Sequence, residues 1–225
     1  EILYVQEGFD NINGSYEQNL QVPFLAKYIA GYSFSLFSYN VFALRAVFTF
    51  IFLLFIYFLF RFLDRLYGEK YALLGSLLYF FGVVNFESNR MVMLEAPMHL
   101  FWILFLYFYY QTFVLEKNKL SNRLFLIIGL FLGLSLITKF TSLVLIIFIL
   151  LGIFYQKKDL SFEKKFLFSS YSYVFISSGL VFIFSYLHYF YSQGLIEGIK
   201  QILKFIKDTY LQRNIEGKVH LVDGE

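Results

Sequence analysis

The sequence predicts an all-α protein, a polytopic transmembrane helical bundle with extracytoplasmic juxtamembrane helices. Its residues are 59% hydrophobic with a mean hydropathy of +0.63, against roughly 45–50% apolar residues in an ordinary globular domain. Its apolar runs approach the ~20 residues that a helix needs to cross a hydrocarbon core. Apart from Arg45 and Arg61, which interrupt the first run, the charges collect between those runs, where hydrocarbon would not have to hold them.

Residues 1–40 read as an extracytoplasmic loop with a juxtamembrane helix. Glu7 to Gln21 is polar, and Asn13-Gly14-Ser15 is an N-glycosylation sequon compatible with an outside location. After Pro23, a residue suited to a helix start, Phe24, Leu25, Tyr28, Ile29 and Tyr32 recur at helical spacing, predicting a helix on the outer membrane surface. Residues 41–191 read as the membrane bundle, with runs at Val41 to Phe62, Tyr71 to Phe86, Ala96 to Leu115, Leu124 to Thr138, Phe140 to Tyr155 and Phe166 to Tyr191. Arg45, at a helix entrance, reads as structural. Leu124 to Tyr155 as one helix would be ~48 Å long, far beyond a ~30 Å core, so Lys139 is expected to divide two short helices. Residues 192–225 read as an extracytoplasmic amphipathic helix and a truncated tail. Leu195, Ile196, Ile199, Ile202, Leu203, Ile206 and Tyr210 form one face of it, opposite Lys200, Lys204 and Lys207.

With two passes between them, Arg61 to Lys70, Glu116 to Arg123 and Gln156 to Lys165 fall on one side and hold ten of the nineteen Lys and Arg residues, which makes that side cytoplasmic. The net charge of +3 is then a matter of topology, and no nucleic-acid-binding module is visible. The absence of cysteine excludes disulfides and thiolate metal sites. The chain reads as a piece of a longer protein, with a membrane helix expected before residue 1.

The chemistry-bearing residues gather at the expected outer mouth. Arg90-Met91-Val92-Met93-Leu94 leads into Glu95, and Ala96-Pro97 opens a helix whose N-terminal partial charge favours an ionised carboxylate. Glu95 is either a catalytic acid or a capping acid at a helix entrance. Lys27, Arg90 and Lys139 are outward cations, available to a lipid phosphate or to the acids, or else snorkelling to headgroups. His99, four residues beyond Glu95, shares its helical face and reads as a hydrogen-bonded histidine or a pocket wall; two such residues make a poor metal site, and no metal or other cofactor is expected. Ser170, Ser177, Ser178, Ser185 and His188 form a polar stripe, suited to a lipid-sugar groove or to helix contacts, and Gly129 with Gly133 favours close helix packing.

The order of these pieces resembles the membrane glycosyltransferases of the GT-C fold, in the protein O-mannosyltransferase and aminoarabinose-transferase branch that uses polyprenyl-phosphate sugars. Glu1-Ile2-Leu3-Tyr4 is similar to the second residue of that branch's acidic pair and the residues after it. Val22-Pro23-Phe24-Leu25-Ala26-Lys27 resembles its His-Pro-Pro-Leu-Gly-Lys signature, without the histidine and the second proline. Leu44-Arg45-Ala46, Leu66-Tyr67-Gly68, Asn89 to Glu95 and Gly129 to Lys139 resemble further family segments in order. The resemblance implies a polyprenyl-phosphate-linked sugar donor, a protein, lipid or glycan acceptor, and Glu1 and Glu95 as catalytic acids, with an Asp just before Glu1 as the general base. Lys27, Arg90, Lys139 and His99 would contact substrate. It also implies a multi-pass protein of the plasma membrane, or of the endoplasmic reticulum in a eukaryote, with its active face extracytoplasmic. The rival is a multi-pass transporter or lipid-sugar flippase, in which intramembrane charges line a path.

Overall fold

The computed structural model describes residues 2–14, 24–38, 40–82, 91–112, 122–158, 164–201 and 203–204. Their regular structure is helical: α1 (Ile2–Ile12), α2 (Phe24–Phe37), α3 (Val41–Tyr67), α4 (Glu69–Phe81), α5 (Glu95–Tyr110), α6 (Asn122–Leu136), α7 (Leu145–Lys158) and α8 (Lys164–Gln193). A 3₁₀ turn at Phe140–Val144 separates α6 from α7, so the chain breaks at Lys139 as its length requires. Among the described residues, Val41–Tyr67 is the helix long and apolar enough to cross a membrane. Asn122–Leu136, Phe140–Gly152 and Tyr171–Leu187 are shorter apolar stretches.

Local chemistry sets the ends of α3. Asn40 Oδ1 accepts the Ala43 N–H at 3.2 Å, satisfying one of the orphan donors of the first turn. At the other end Gly68, with φ of 84°, stops the helix and donates its N–H to the Asp64 carbonyl at 2.9 Å. The helix runs past the expected end at Phe62 because Arg65 does not have to be buried. Its guanidinium lies 4.4 Å from the Tyr107 ring centroid and near the negative end of the helix dipole. A polar N-terminal stretch was expected, but residues 2–12 form α1; Tyr4, Glu7 and Asn11 share a face one turn apart, and that face turns inward.

Side-chain pairs fix the direction of each helix. Phe52 stacks on Phe80 and Phe55 packs obliquely against Tyr79, so α4 runs against α3. Phe55 meets His99 and Phe62 meets Tyr110, so α5 runs with α3. Glu95 meets Lys139 and Phe108 meets Phe131, so α6 runs against α5. Trp102 bonds Ser142 and Tyr109 bonds the Phe148 carbonyl, so α7 runs with α5. Gly129 faces Val174 and Gly133 faces Ser178 and Val181, so α8 runs with α6. The six helices from α3 to α8 therefore alternate in direction.

The bundle is centred on α5. Leu100, Ile103 and Leu104 close one apolar cluster with Ala30, Leu44, Phe48, Phe52 and Phe55, while Phe105 enters a second with residues of α6, α7 and α8. A third cluster, Phe24 with Tyr186 and Tyr189, joins α2 to α8. Helices α1 and α2 thus pack into the same core as the later helices. After Gly194 (φ 80°) residues 195–201 are helical again, with Leu195, Ile196 and Ile199 exposed.

Two contacts bring backbones together through glycine. A Cβ on Gly129 would collide with the Val174 carbonyl and the Ser177 hydroxyl, as the expected close packing of this helix requires. A Cβ on Gly31 would collide with the backbone of Gly8, and one on Gly8 with the Lys27 carbonyl, so α1 lies directly on α2. Gly179 faces open space. Thermal unfolding of the detergent-solubilised protein should separate these cases. Gly31→Val should destabilise by about 1–3 kcal/mol through overpacking, whereas Gly179→Ala should be neutral or stabilise by up to about 1 kcal/mol through helix propensity.

Candidate functional site

Lys139 is held by a polar knot at the end of α6. The Ser135 carbonyl accepts the backbone N–H groups of Thr138 and Lys139 at 3.1 and 3.0 Å, and the Ser142 hydroxyl at 2.9 Å. The Ser142 oxygen in turn accepts the indole N–H of Trp102 from α5 at 2.7 Å. The Thr138 hydroxyl donates to the Leu134 carbonyl at 2.7 Å. Ser135, Thr138 and Ser142 are fully buried, so each hydroxyl needs such a partner. The knot leaves Lys139 itself extended (φ −156°, ψ 129°), its side chain projecting toward the start of α5.

There it meets Glu95. Lys139 Nζ donates to Glu95 Oε1 at 2.9 Å, with the lysine side chain 35% and the glutamate 28% exposed. Glu95 is the first residue of α5, where the unsatisfied N–H groups of the opening turn favour a carboxylate. The pair is accessible at one side and walled at the other. Tyr4 of α1 forms part of that surround. Burial above all, then the charges of Glu95 and Glu7, push its phenol above the usual range, while Lys139 pulls the other way. The phenol therefore feels both charges of the pair. Leu25 donates its N–H to the Ile137 carbonyl at 3.0 Å, tying the start of α2 to the turn before Lys139. The N-terminal segment and the entrance of α5 converge on one place.

His99 shares the face of Glu95, as its spacing predicts. The contact seen for its Nδ1 is the Tyr79 hydroxyl of α4 at 3.3 Å, and its ring packs among Phe55, Tyr79 and Trp102. It is a hydrogen-bonded histidine in an aromatic surround. Among the described residues no cluster of His, Asp and Glu suited to a metal is present.

Lys27 has a different setting from the one expected. It is fully enclosed, and its Nζ lies 2.9 Å from Oε2 of Glu7, itself 2% exposed. That oxygen is off the line of a well-formed hydrogen bond, yet between two charges removed from water the attraction at this distance does not depend on alignment. Burial pulls the ammonium below its usual range and the Glu7 carboxylate opposes that pull. Of the two expected partners, lipid phosphate or an acid, the structure gives Lys27 an acid, and it leaves no exposed ammonium for snorkelling. Glu7 was not anticipated. Its only trace in the sequence is the Glu7-Gly8 pair matching Lys27 and Gly31, a charge beside a glycine on each helix.

The serine stripe divides. The Ser177 hydroxyl turns back to the Tyr173 carbonyl at 2.9 Å, at the helix contact with Gly129, while Ser185 borders a cavity of about 460 Å³ between α1, α2 and α8. Glu1 and Arg90 lie outside the described residues, as do the side chains of Ser170 and His188.

Removing one member of the enclosed pair isolates the other's charge. Lys27→Met should lower stability by about 3–5 kcal/mol, and adding Glu7→Leu should restore most of it. Thermal unfolding of the two variants checks this, and a single variant as stable as the parent would show that the pair holds nothing together.

Against known proteins, the family model for dolichyl-phosphate-mannose-protein mannosyltransferase matches residues 21–187. Neither a curated protein nor a solved structure matches significantly. The matched stretch covers α2 to α8 almost entirely, and so includes Lys27, Glu95, His99 and Lys139. With most of its length in that match, this chain belongs to the dolichyl-phosphate-mannose-protein mannosyltransferase family, whose members are membrane glycosyltransferases.

Proposed function

We propose that the chain carries the sugar-transfer site of a polytopic enzyme. It takes a sugar from a polyprenyl-phosphate carrier and passes it, with inversion, to an extracytoplasmic protein, lipid or glycan acceptor. The observation that carries this reading is the accessible Glu95–Lys139 pair at 2.9 Å, pinned from two sides.

The reaction breaks the bond from the anomeric carbon to the phosphate oxygen and forms one to the acceptor oxygen. The phosphate leaves with the electron pair, and the acceptor proton passes to a carboxylate. Lys139 is suited to the first event, because an ammonium in a half-buried site stabilises a departing phosphate far better than water does. Glu95 is suited to orienting the acceptor hydroxyl. The proton goes to Glu1 or to the Asp expected before it; Glu1 immediately precedes α1, whose Tyr4 lies within electrostatic reach of Glu95. Arg90 is the second cation of this reading. Lys27, engaged with Glu7, positions α1 over the site.

Helix direction supports the membrane topology. Alternation from α3 to α8 is what six crossings require. Because α3, α5 and α7 share a direction, Arg61 and Arg65 near the end of α3, Lys70 at the start of α4, Arg123 at the start of α6, Lys157 and Lys158 at the end of α7 and Lys164 and Lys165 at the start of α8 gather at one end of the described bundle. Glu95 and Lys139 are at the other, and the excess of basic residues on cytoplasmic sides supports reading their side as extracytoplasmic.

Transfer of a labelled sugar from a polyprenyl phosphate by the full gene product in proteoliposomes tests the proposal. Glu95→Gln should reduce turnover by at least about 100-fold with folding intact, and undiminished turnover would end the assignment. Lys139→Met should raise the KM for the donor by about 10- to 100-fold, with a much smaller change for the acceptor. Equal changes for both would remove the phosphate role.

A further inference from the structure

The cavity of about 460 Å³ holds none of the residues assigned to sugar transfer. Its walls include Ile12 of α1, Ile137 of the turn after α6, and Val181 and Phe184 of α8. One polar group in it is unexplained. Asn11 is 2% exposed, and its Nδ2 has no hydrogen-bond partner among the described residues. A buried amide donor left unmatched is costly, and such a group beside a cavity calls for an acceptor oxygen from elsewhere. Ser185, on the same wall, donates its hydroxyl to the Phe182 carbonyl at 2.8 Å, and its oxygen does not reach Asn11 Nδ2, which stays without a partner.

The lining sets the charge of the missing group. No Lys, Arg or His borders the cavity among the described residues, and the nearby Lys27 is closed against Glu7. A phosphate brought here would have no cation, so the oxygen belongs to an uncharged group. A polyprenyl phosphate does not meet this requirement, because its chain carries no oxygen before the phosphate. Ile183, Phe184 and Leu187 beside the cavity are exposed, giving α8 the apolar outer surface on which lipid tails lie. An acyl chain joined to glycerol through an ester has both properties, an apolar body for the walls and a neutral carbonyl for Asn11.

We infer that the cavity is a binding site for one acyl chain of a membrane glycerolipid, whose ester carbonyl oxygen accepts a hydrogen bond from Asn11 Nδ2. This rests on the membrane-embedded reading of the bundle and not on sugar transfer. The lipid fills the gap between the α1–α2 pair and α8, which otherwise meet through the cluster of Phe24, Tyr186 and Tyr189.

The test uses the full-length protein in vesicles of phosphatidylethanolamine and phosphatidylglycerol doped with a phosphatidylethanolamine bearing a diazirine on its acyl chain. Irradiation and peptide mass spectrometry should place labels at residues 11–12, 25–32 and 181–185 well above those on the exposed faces of α3 and α4. Asn11→Leu should reduce these labels by about 2- to 10-fold, the worth of one neutral hydrogen bond, and Ser185→Phe should reduce them further by filling the space. In the unaltered protein, unlabelled diester lipid should displace the probe better, by the same factor, than its diether analogue. Labelling no stronger here than elsewhere, or equal displacement by ester and ether, would overturn the site. Preferential displacement by polyprenyl phosphate would overturn the glycerolipid assignment. None of these readouts depends on sugar transfer.

Discussion

An ammonium group inside an apolar bundle must be given a counter-charge, and the placement of Lys139 is governed by that need. The lysine sits where α6 and α7 reverse direction, the one region of this hairpin in which the backbone leaves the helix and polar groups are exposed to pairing. The polar knot fixes its Cα while Trp102 anchors the knot to α5, and α5 also supplies the carboxylate. One helix thus provides both the anchor and the partner. Rotation of α5 would disturb the two together, so the ion pair and the packing of the central helix are a single constraint.

The α1–α2 pair obeys the same rule in drier surroundings. Backbones touch at Gly8 and Gly31, and Glu7 and Lys27 neutralise one another beside that contact. The packing supplies rigidity and the charges supply register, since sliding α1 by one residue would carry Glu7 away from Lys27 and bring a Cβ into the glycine contact. Because Tyr4 lies one turn from Glu7 on the same helix face, this register also decides where the phenol stands relative to Glu95.

Much of the bundle was legible because hydrophobic runs and helix lengths are local properties. The six runs, the break at Lys139 and the close contact at Gly129 come from counting residues, rises and small side chains. Glu95, Lys139 and His99 were legible as residues that an apolar chain must justify. Their partners were not. Tyr79 is twenty residues from His99, Ser142 forty from Trp102 and Glu95 forty-four from Lys139; nothing in local spacing links residues so far apart. Helix α1 was hidden for a different reason: its inward face carries Tyr4, Glu7 and Asn11, so a polar face that reads as solvent-facing is in fact the buried one.

Gly68 joins α3 to α4 with no other residue between them. The two helices are thereby indexed to one another, with Tyr79 standing eleven positions beyond the joint and Phe55 thirteen before it. The phenol reaches the imidazole of His99 only while that count holds. One residue added between Gly68 and Tyr79 would swing the hydroxyl by about 100° around its axis, and there is no loop at the joint to absorb the error. The setting of His99 is in this way dimensioned from the far end of the bundle, so that tolerance to insertion is lowest at a joint remote from the residues it positions.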